Sequence, residues 1–243
     1  MNFFGLIGNP LGHSFSKKYF SEKFEREGLH DCRFELFPLE TIDEFPLLIE
    51  KEKELKGIAV TIPYKESIMP LLDVIDEAAS ETGAVNCIKI AAGRLTGYNT
   101  DIVGFERSLV PLLKPYHKNA LILGSGGSSR AVQYVLKKIG IDFTIVSRAG
   151  TPGSIQYSDV DQKMMGDHLL VINCTPVGMF PHVEEKPAIP YQFLTANHLL
   201  FDLVYNPAET AFLGEGMKHG AMIKNGYEML TIQAEENWKI WSA

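Results

Sequence analysis

The stretch Ala120-Leu121-Ile122-Leu123-Gly124-Ser125-Gly126-Gly127-Ser128-Ser129-Arg130-Ala131 decides the fold. Ala120–Leu123 is a short apolar run of the kind that forms a buried strand, and Ser129–Ile139 carries apolar residues at helical spacing. A glycine cluster between a strand and a helix has a physical use. Gly124 makes the tight turn, and Gly126 lets backbone N–H groups approach a pyrophosphate at the helix N-terminus, where the dipole favours an anion. The third position is Ser129 rather than Gly or Ala. A flexible strand-to-helix turn with no ligand is the competing reading. The Gly140–Asp142 turn leads to a second strand, Phe143–Val146, which ends in Ser147-Arg148. An NAD protein tends to place Asp or Glu about 20 residues after the loop, on the ribose 2′-OH. An arginine there pairs instead with a 2′-phosphate or stacks on adenine, which favours NADP(H) over NAD; a solvated surface arginine is the alternative.

The α/β alternation extends outward from this unit in both directions. Before it, Asn2–Ile7, Arg33–Pro38 and Gly57–Thr61 read as strands, separated by helices over Ser16–Glu27, with a serine N-cap, and Ile42–Glu54. This order implies a parallel sheet covered by helices. Further helices are expected near Ser67–Leu72 and Val74–Thr82, and Val85–Ile90 with Leu95–Tyr98 reads as a hairpin around Ala-Ala-Gly-Arg. After the glycine unit, Leu169–Asn173 and Leu199–Val204 read as strands. Residues 147–166 and 180–190 read as loops or short helices. Thr231–Trp241 is an amphipathic helix whose apolar stripe holds Leu230, Ala234, Trp238 and Trp241. Two α/β domains meeting near residue 102 are the natural division.

The composition is compatible with this. The chain has 243 residues, 45% hydrophobic and 22% charged, with a net charge of −7, enough apolar material for a sizeable core. No lysine- or arginine-rich run points to nucleic acid. Cys32, Cys87 and Cys174 are too far apart for a CxxC motif or a disulfide framework and fit reduced thiols in a reducing compartment. No apolar run approaches the roughly 20 residues of a membrane span. The N-terminal apolar patch is interrupted by Gly8, Pro10 and His13 and lacks a basic flank, so it reads as a strand rather than a signal peptide. The expected location is the cytoplasm.

Polar residues gather where the first domain's strands end. Gly8-Asn-Pro-Leu-Gly-His13-Ser14-Phe-Ser16 follows the first strand, Val60-Thr61-Ile-Pro63-Tyr-Lys65 the third; Gly83-Ala-Val-Asn86 opens the hairpin and Tyr98-Asn99-Thr100-Asp101 closes it. In a parallel sheet, ligands collect at the carboxyl ends of strands. Ser14, Ser16, Thr61, Lys65, Asn86, Asn99 and Asp101 therefore suit a small polyhydroxylated acid. Singly, each has an ordinary alternative: Ser14 and Asn99 are good turn or cap residues, and Lys65 is a typical solvated charge.

Together these motifs resemble the shikimate dehydrogenase family over nearly the whole chain. The resemblance continues through Gly97-Tyr-Asn99-Thr100-Asp101-Ile-Val-Gly104-Phe105, the glycine loop, Asn173-Cys-Thr175-Pro176-Val-Gly178-Met179, Asp202-Leu203-Val204-Tyr205-Asn-Pro207 and Gly226-Tyr-Glu-Met229-Leu230-Thr-Ile-Gln233. It implies an N-terminal substrate domain, residues 1–102 plus 226–243, and a Rossmann-like NADP-binding domain, residues 103–225, with the C-terminal helix returning to the first. It implies reversible NADPH-dependent reduction of 3-dehydroshikimate to shikimate, in aromatic amino-acid biosynthesis. Lys65 and Asp101 match the catalytic pair. Ser14, Ser16, Thr61, Asn86, Tyr205 and Gln233 match substrate positions. Gly124, Ser125, Gly126, Gly127, Ser128, Arg148, Met179, Leu203 and Gly226 match cofactor positions. No metal is implied, and the partners expected are the small-molecule substrate alone, with neither nucleic acid nor membrane, on a monomer or homodimer.

The chain departs from the family at Lys17-Lys18-Tyr19-Phe20, where the family commonly has Ser-Pro followed by His-Asn, which should alter packing at the first helix. It also departs at Ser147-Arg148-Ala149, with no basic residue in Gly150–Ser154, which loosens the grip on a 2′-phosphate. Three alternatives remain: a paralogue acting on quinate or using NAD, a tetrahydrofolate dehydrogenase, which would want an aromatic-lined cleft, and a dinucleotide sensor without turnover, which would have no need of both Lys65 and Asp101. His13 is an alternative acid.

Overall fold

The computed structural model describes residues 2–12, 15–148, 150 and 152–243, and the chain divides into two compact units, 1–100 with 234–243 and 101–233. The first unit contains β1 (Asn2–Gly8), α1 (Phe15–Arg26), β2 (Cys32–Pro38), α2 (Phe45–Lys51), β3 (Leu55–Val60), β4 (Val74–Ile75), α3 (Glu77–Thr82), β5 (Cys87–Ala91) and β6 (Arg94–Tyr98). Its six-stranded sheet runs β2-β1-β3-β5-β6-β4, with β1 parallel to both neighbours and β5 antiparallel to β3 and β6. β1 is apolar from Phe3 onward because helices and loops cover both faces of the sheet. Phe3 and Ile7 pack into one core with Phe45, Ile58, Val60 and Ile68. Phe4 and Leu6 face the other, with Phe20, Phe24, Phe34 and Trp241.

The second core closes on the end of α8 (Tyr227–Ser242), the last helix of the chain. Trp241 stacks on Phe4 with ring centroids 5.2 Å apart and donates its indole N–H to the Ile88 carbonyl at 3.0 Å. Buried Lys23 bonds Glu27 at 2.8 Å and Glu235 at 2.9 Å. Burial works against its charge, but the bonds to Glu27 and Glu235 prevail and raise its pKa above the usual lysine range. The residues that depart from the family are built into this corner. Tyr19 donates to Glu235, Phe20 stacks on Phe34 at 4.7 Å, and Lys17 pairs with Glu35 at 2.6 Å.

The second unit contains α4 (Asp101–Leu109), β7 (Asn119–Leu123), α5 (Gly127–Lys138), β8 (Asp142–Val146), β9 (Ser154–Ile155), α6 (Gln162–Asp167), β10 (Leu170–Asn173), β11 (Leu199–Asp202), α7 (Ala211–Lys218), β12 (Met222–Lys224) and the start of α8. Its sheet is parallel throughout in the order β12-β11-β10-β7-β8-β9. From β7 the chain winds outward through β8 to β9, then returns to the other side of β7 for β10 to β12. The direction therefore reverses between β7 and β10, the switch point at which doubly wound sheets bind ligands. Among the described residues no helix is long and apolar enough to cross a membrane, and all three cysteines are free thiols.

The α/β architecture expected from the sequence holds, with local corrections. Ile42–Glu54 is not one helix: a 3₁₀ turn at Ile42–Glu44 precedes α2, and Pro46 stands in the first turn of α2, where its missing N–H costs nothing. The expected helix near Ser67–Leu72 is reduced to a 3₁₀ turn, Met69–Leu71, around Pro70. Val74–Ile75 is a strand paired with Thr96–Gly97 rather than the start of a helix, and α3 begins only after Asp76, whose carboxylate caps Ala78 N–H at 3.2 Å. α1 starts at Phe15, so Ser16 lies in its first turn instead of preceding it. α5 starts two residues earlier than expected, at Gly127.

Trp241 is predicted to hold the last turns of the chain onto the first sheet. Trp241→Ala should destabilise the first unit by about 3–5 kcal/mol, the usual cost of emptying a large aromatic site. Trp241→Phe should cost less, on the order of 1–3 kcal/mol, chiefly from the unpaired Ile88 carbonyl. Urea unfolding monitored by far-UV circular dichroism measures both; no loss in Trp241→Phe would show that the indole N–H contributes nothing.

Candidate functional site

In the first unit the carboxyl ends of β1, β3 and β6 and the amino end of β5 lie at one end of the sheet, a direct result of β5 running antiparallel. Backbone hydrogen bonds lock the connecting loops there. Thr61 N–H donates to Ile7 O at 3.0 Å and Asn9 N–H to Ile62 O at 3.1 Å, tying the loops after β1 and β3 together. Val85 N–H donates to the carbonyl of Lys65 at 2.8 Å, which holds the Lys65 segment beside the start of β5. Asn86 accepts from Val60 N–H at 2.8 Å and donates to Tyr98 O at 3.0 Å. Thr61 and Lys65 are half-buried and Asn86 is buried, all at this rim. Ser16 is half-buried in the first turn of α1. Ser14 and His13 lie outside the described residues.

Asn99 and Asn86 are both buried here but are held differently. Asn99 Nδ2 donates to Thr82 Oγ1 at 3.1 Å and Ala84 O at 2.9 Å, so it braces the turn before β5. Asn86 Oδ1 accepts from the backbone N–H and the hydroxyl of Thr100, at 2.7 and 3.1 Å.

The second unit carries Asp101, Tyr205 and Gln233. Asp101 is buried at the first residue of α4. One turn on, Gly104 meets α8: a Cβ there would lie 2.6 Å from Met229 O and 3.3 Å from the Gln233 Cβ. Asp101 and Gln233 therefore sit on two helices in van der Waals contact. Gln233 Nε2 donates to Leu230 O at 2.9 Å, on its own helix. Tyr205 is half-buried, and burial pushes its phenol pKa up.

At the switch point, Gly124 N–H donates to Val146 O and Cys174 N–H to Leu123 O, both at 2.8 Å. Gly124 has φ +104°, and a Cβ on it would come 2.8 Å from Thr175 Cγ2, so the fold itself requires this glycine. Gly126 is different. It caps α5 with extended backbone, φ −75° and ψ −179°, and among the described residues no atom beyond its own neighbours lies within 4 Å of where its Cβ would be. The N-terminus of a 12-residue helix opens onto that space. This suits a pyrophosphate, so the residues present fit a dinucleotide. Ser129, the departure from the simplest fingerprint, is fully buried and accepts from Gln133 Nε2 at 3.1 Å. It fills the small-residue position where helix packs on strand.

Ser147 is buried, its hydroxyl 3.5 Å from that of Ser125, while Arg148 is exposed. Burial raises the Tyr157 phenol pKa, and the positive charge of Arg148 opposes it. Ala149 and Thr151 lie outside the described residues.

The loops after β10 and β11 carry Met179, Leu203 and Tyr205, and a buried polar knot organises them. Asp202 accepts from Asn173 Nδ2 at 2.9 Å, Val204 N–H at 3.0 Å and the Thr210 hydroxyl at 2.6 Å. Asn173 Oδ1 in turn receives the backbone N–H and hydroxyl of Thr175 at 3.0 and 2.6 Å. Met179 is exposed. Leu203 is half-buried, and its carbonyl occupies the place where a Gly226 Cβ would be, so only glycine permits that approach. Sequence reasoning quoted Asn173 and Asp202 within motifs without giving them a role. A polar residue at the end of each of two central apolar strands was the available signal.

Burial raises the Asp202 carboxyl to about 6 against its three donors. The folded state therefore holds this proton more tightly than the unfolded chain. Its stabilising contribution is complete below about pH 4 and is lost as pH rises through 6, a change of roughly 3 kcal/mol. Asp202→Asn should remove that part of the pH dependence. Urea midpoints between pH 4 and 7 should fall less steeply in the variant; parallel curves would mean that Asp202 does not titrate there.

Comparison with known proteins agrees with this architecture. Residues 6–88 match the shikimate dehydrogenase substrate binding domain. The chain is 36% identical over 253 residues to a shikimate dehydrogenase (NADP(+)) of Methanococcus maripaludis strain C6, covering 98% of this chain and 90% of that one. It is 37% identical over 252 residues to one from Staphylococcus aureus strain Newman, covering 98% and 92%. A crystal structure of shikimate 5-dehydrogenase from Thermus thermophilus, in complex with NADP(H) and shikimate, superposes with a TM-score of 0.87 at 29% identity, covering 100% of this chain and 94% of that one. A match of this identity over 98% of the chain places it in the shikimate dehydrogenase family.

Proposed function

We propose that this chain interconverts shikimate and 3-dehydroshikimate with NADP(H), and that Lys65 and Asp101 are its catalytic pair. The observation that carries the reading is the locking of Thr61, Lys65 and Asn86 at one end of the first sheet by the backbone bonds of Ile7, Val85, Val60 and Tyr98. A hydroxyl, an ammonium and a carboxamide held rigidly together suit a polyhydroxylated ring acid. The hydroxyl of Ser14, Ser16 and Tyr205 and the carboxamide of Gln233 extend the same chemistry.

Oxidation removes a proton from a ring hydroxyl and a hydride from its carbon. Bound NADP+ supplies the hydride acceptor. Lys65, as the free amine, takes the hydroxyl proton, and as ammonium returns it in the reverse direction. Asp101 accepts a hydrogen bond from that hydroxyl. Such a positioned acid–base group contributes about 10²–10⁴-fold. For the cofactor, the α5 N-terminus with Gly124, Ser125, Gly126, Gly127 and Ser128 would hold the pyrophosphate, Arg148 the 2′-phosphate, and Met179, Leu203 and Gly226 the nicotinamide end.

The test is absorbance of the reduced nicotinamide with purified protein against shikimate and quinate, each with NADP+ and NAD+. Shikimate with NADP+ should turn over fastest. NADPH binding without turnover of any pair would leave a sensor. Lys65→Ala should lower kcat by at least about 10²-fold with the shikimate KM within about tenfold, and Asp101→Ala should be similarly severe. The double variant should lose far less than the product of the two, since both act on one oxygen. Near-normal turnover in Lys65→Ala would move the proton transfer elsewhere.

Cofactor preference follows from Ser147 and Arg148. A charge-assisted hydrogen bond is worth roughly 1.5–3 kcal/mol, so NADP+ should be preferred by about 10- to 100-fold. Arg148→Ala should raise the KM for NADP+ and barely change that for NAD+. Equal losses for both would mean that the guanidinium only stacks on adenine.

A further inference from the structure

Two buried histidines stand at the amino ends of the second sheet's strands, the end opposite the glycine loop. His117 comes two residues before β7, at 4% exposure, and His198 immediately before β11, at 1%. Each closes the same kind of turn. The His117 backbone N–H donates to Lys114 O, and the Lys114 N–H donates to Nδ1 of the His117 ring, both at 3.0 Å. Thr195–His198 repeats the pattern: His198 N–H donates to Thr195 O, and Thr195 N–H to His198 Nδ1, again at 3.0 Å. The far side of each ring reaches another segment. His117 Nε2 lies 3.1 Å from Asn197 O, inside the second turn, and His198 Nε2 lies 2.9 Å from Met165 O on α6. The rings therefore join the first turn to the second, and the second to α6, which leads into β10 between β7 and β11.

These partners allow one arrangement of protons. A backbone N–H only donates, so each Nδ1 is bare; a carbonyl only accepts, so each Nε2 carries hydrogen. An imidazolium carries hydrogen on both nitrogens and would set N–H against N–H inside each turn, leaving buried donors unpaired. His168, two residues before β10, is the contrast. Its Nδ1 faces Met164 O at 2.9 Å and its Nε2 the Thr144 hydroxyl at 3.2 Å, which accepts as readily as it donates, so both contacts survive protonation. Burial lowers the pKa of His117 and of His198, and their bonds to carbonyls offset this only in part. Lys114 opposes a charge on His117, and His117 opposes one on His198. Tyr116 meets the His117 ring edge-on at 4.8 Å. On α6, Asp161 caps the Met164 N–H at 2.8 Å and Lys163 pairs with Asp167 at 3.5 Å. We propose that His117 and His198 form an acid-labile brace for the second unit, closed only while both rings are neutral. The unfolded chain takes up these two protons near the usual histidine pKa of about 6.5, the folded chain only at lower pH. The brace therefore stabilises fully above that value, and its contribution is lost as pH falls.

The test is urea unfolding, followed by far-UV circular dichroism between about pH 7.5 and about pH 5, of the parent, His117→Asn, His198→Asn, the double variant and His168→Asn. Asparagine keeps an acceptor near the Nδ1 position and does not titrate. The slope of stability against pH counts the protons taken up on unfolding. It should be steeper in the parent than in either single variant by up to one proton, and than in the double variant by up to two. His168→Asn should keep the parent's slope. Long-range ¹H–¹⁵N spectra near pH 7.5 should show both rings bare at Nδ1 and protonated at Nε2. If the double variant fails to fold, the two single variants and the spectra decide the matter. Single-variant slopes parallel to the parent's, an equal loss of slope in His168→Asn, or rings protonated at Nδ1 would each overturn the proposal.

Discussion

Asn86 uses its backbone to join two strands at once. Its carbonyl takes the Val60 N–H at the end of β3, and its N–H bonds the Tyr98 carbonyl at the end of β6. This is where the first sheet changes from parallel to antiparallel pairing. Without the reversal, the start of β5 would lie at the far end from the loops after β1 and β3. With it, Thr61, Lys65 and Asn86 share one rim, and Thr100 follows two residues after β6 to hold the Asn86 side chain. The grouping of these three residues depends on that single change of strand direction.

The second unit solves a different problem with parallel strands alone. Its chain reverses direction between β7 and β10, so the loops after those strands separate. The glycine loop occupies one side of the crevice and Thr175 the other, close enough that Gly124 can carry no side chain. Three donors converge on Asp202 at the neighbouring strand end, and they in turn fix the loops that carry Met179, Leu203 and Tyr205. A buried carboxyl group is costly unless hydrogen-bonded, which explains why so many groups are committed to it.

Local signals were legible in the sequence wherever one element carried its own pattern. β7, the glycine loop and α5 could be read because strand, turn and helix follow one another within a few residues. Elements that exist only through distant partners could not. Val74–Ile75 is a strand solely because Thr96–Gly97 lies beside it. Pro46 and Pro70 cut segments whose apolar spacing suggested longer helices. α4, α7 and β12 went unread, the two helices because Gly104, Gly214 and Gly216 dilute their helical pattern and the strand because three residues are too few for a period. In the candidate site, the grouping of polar residues at strand ends was visible, but not how they are held. Asn237 is one polar residue among several on α8, and only the fold shows that its side chain reaches Thr100.

The central claim is that this chain carries out hydride transfer from the carbinol carbon of shikimate to NADP+. The most direct measurement is the fate of deuterium placed on that carbon. The account predicts one deuterium delivered to the nicotinamide ring for each shikimate oxidised, detected by mass spectrometry of the NADPH formed, with no loss to solvent. NADPH without deuterium, or no NADPH from a preparation that binds both ligands, would contradict it.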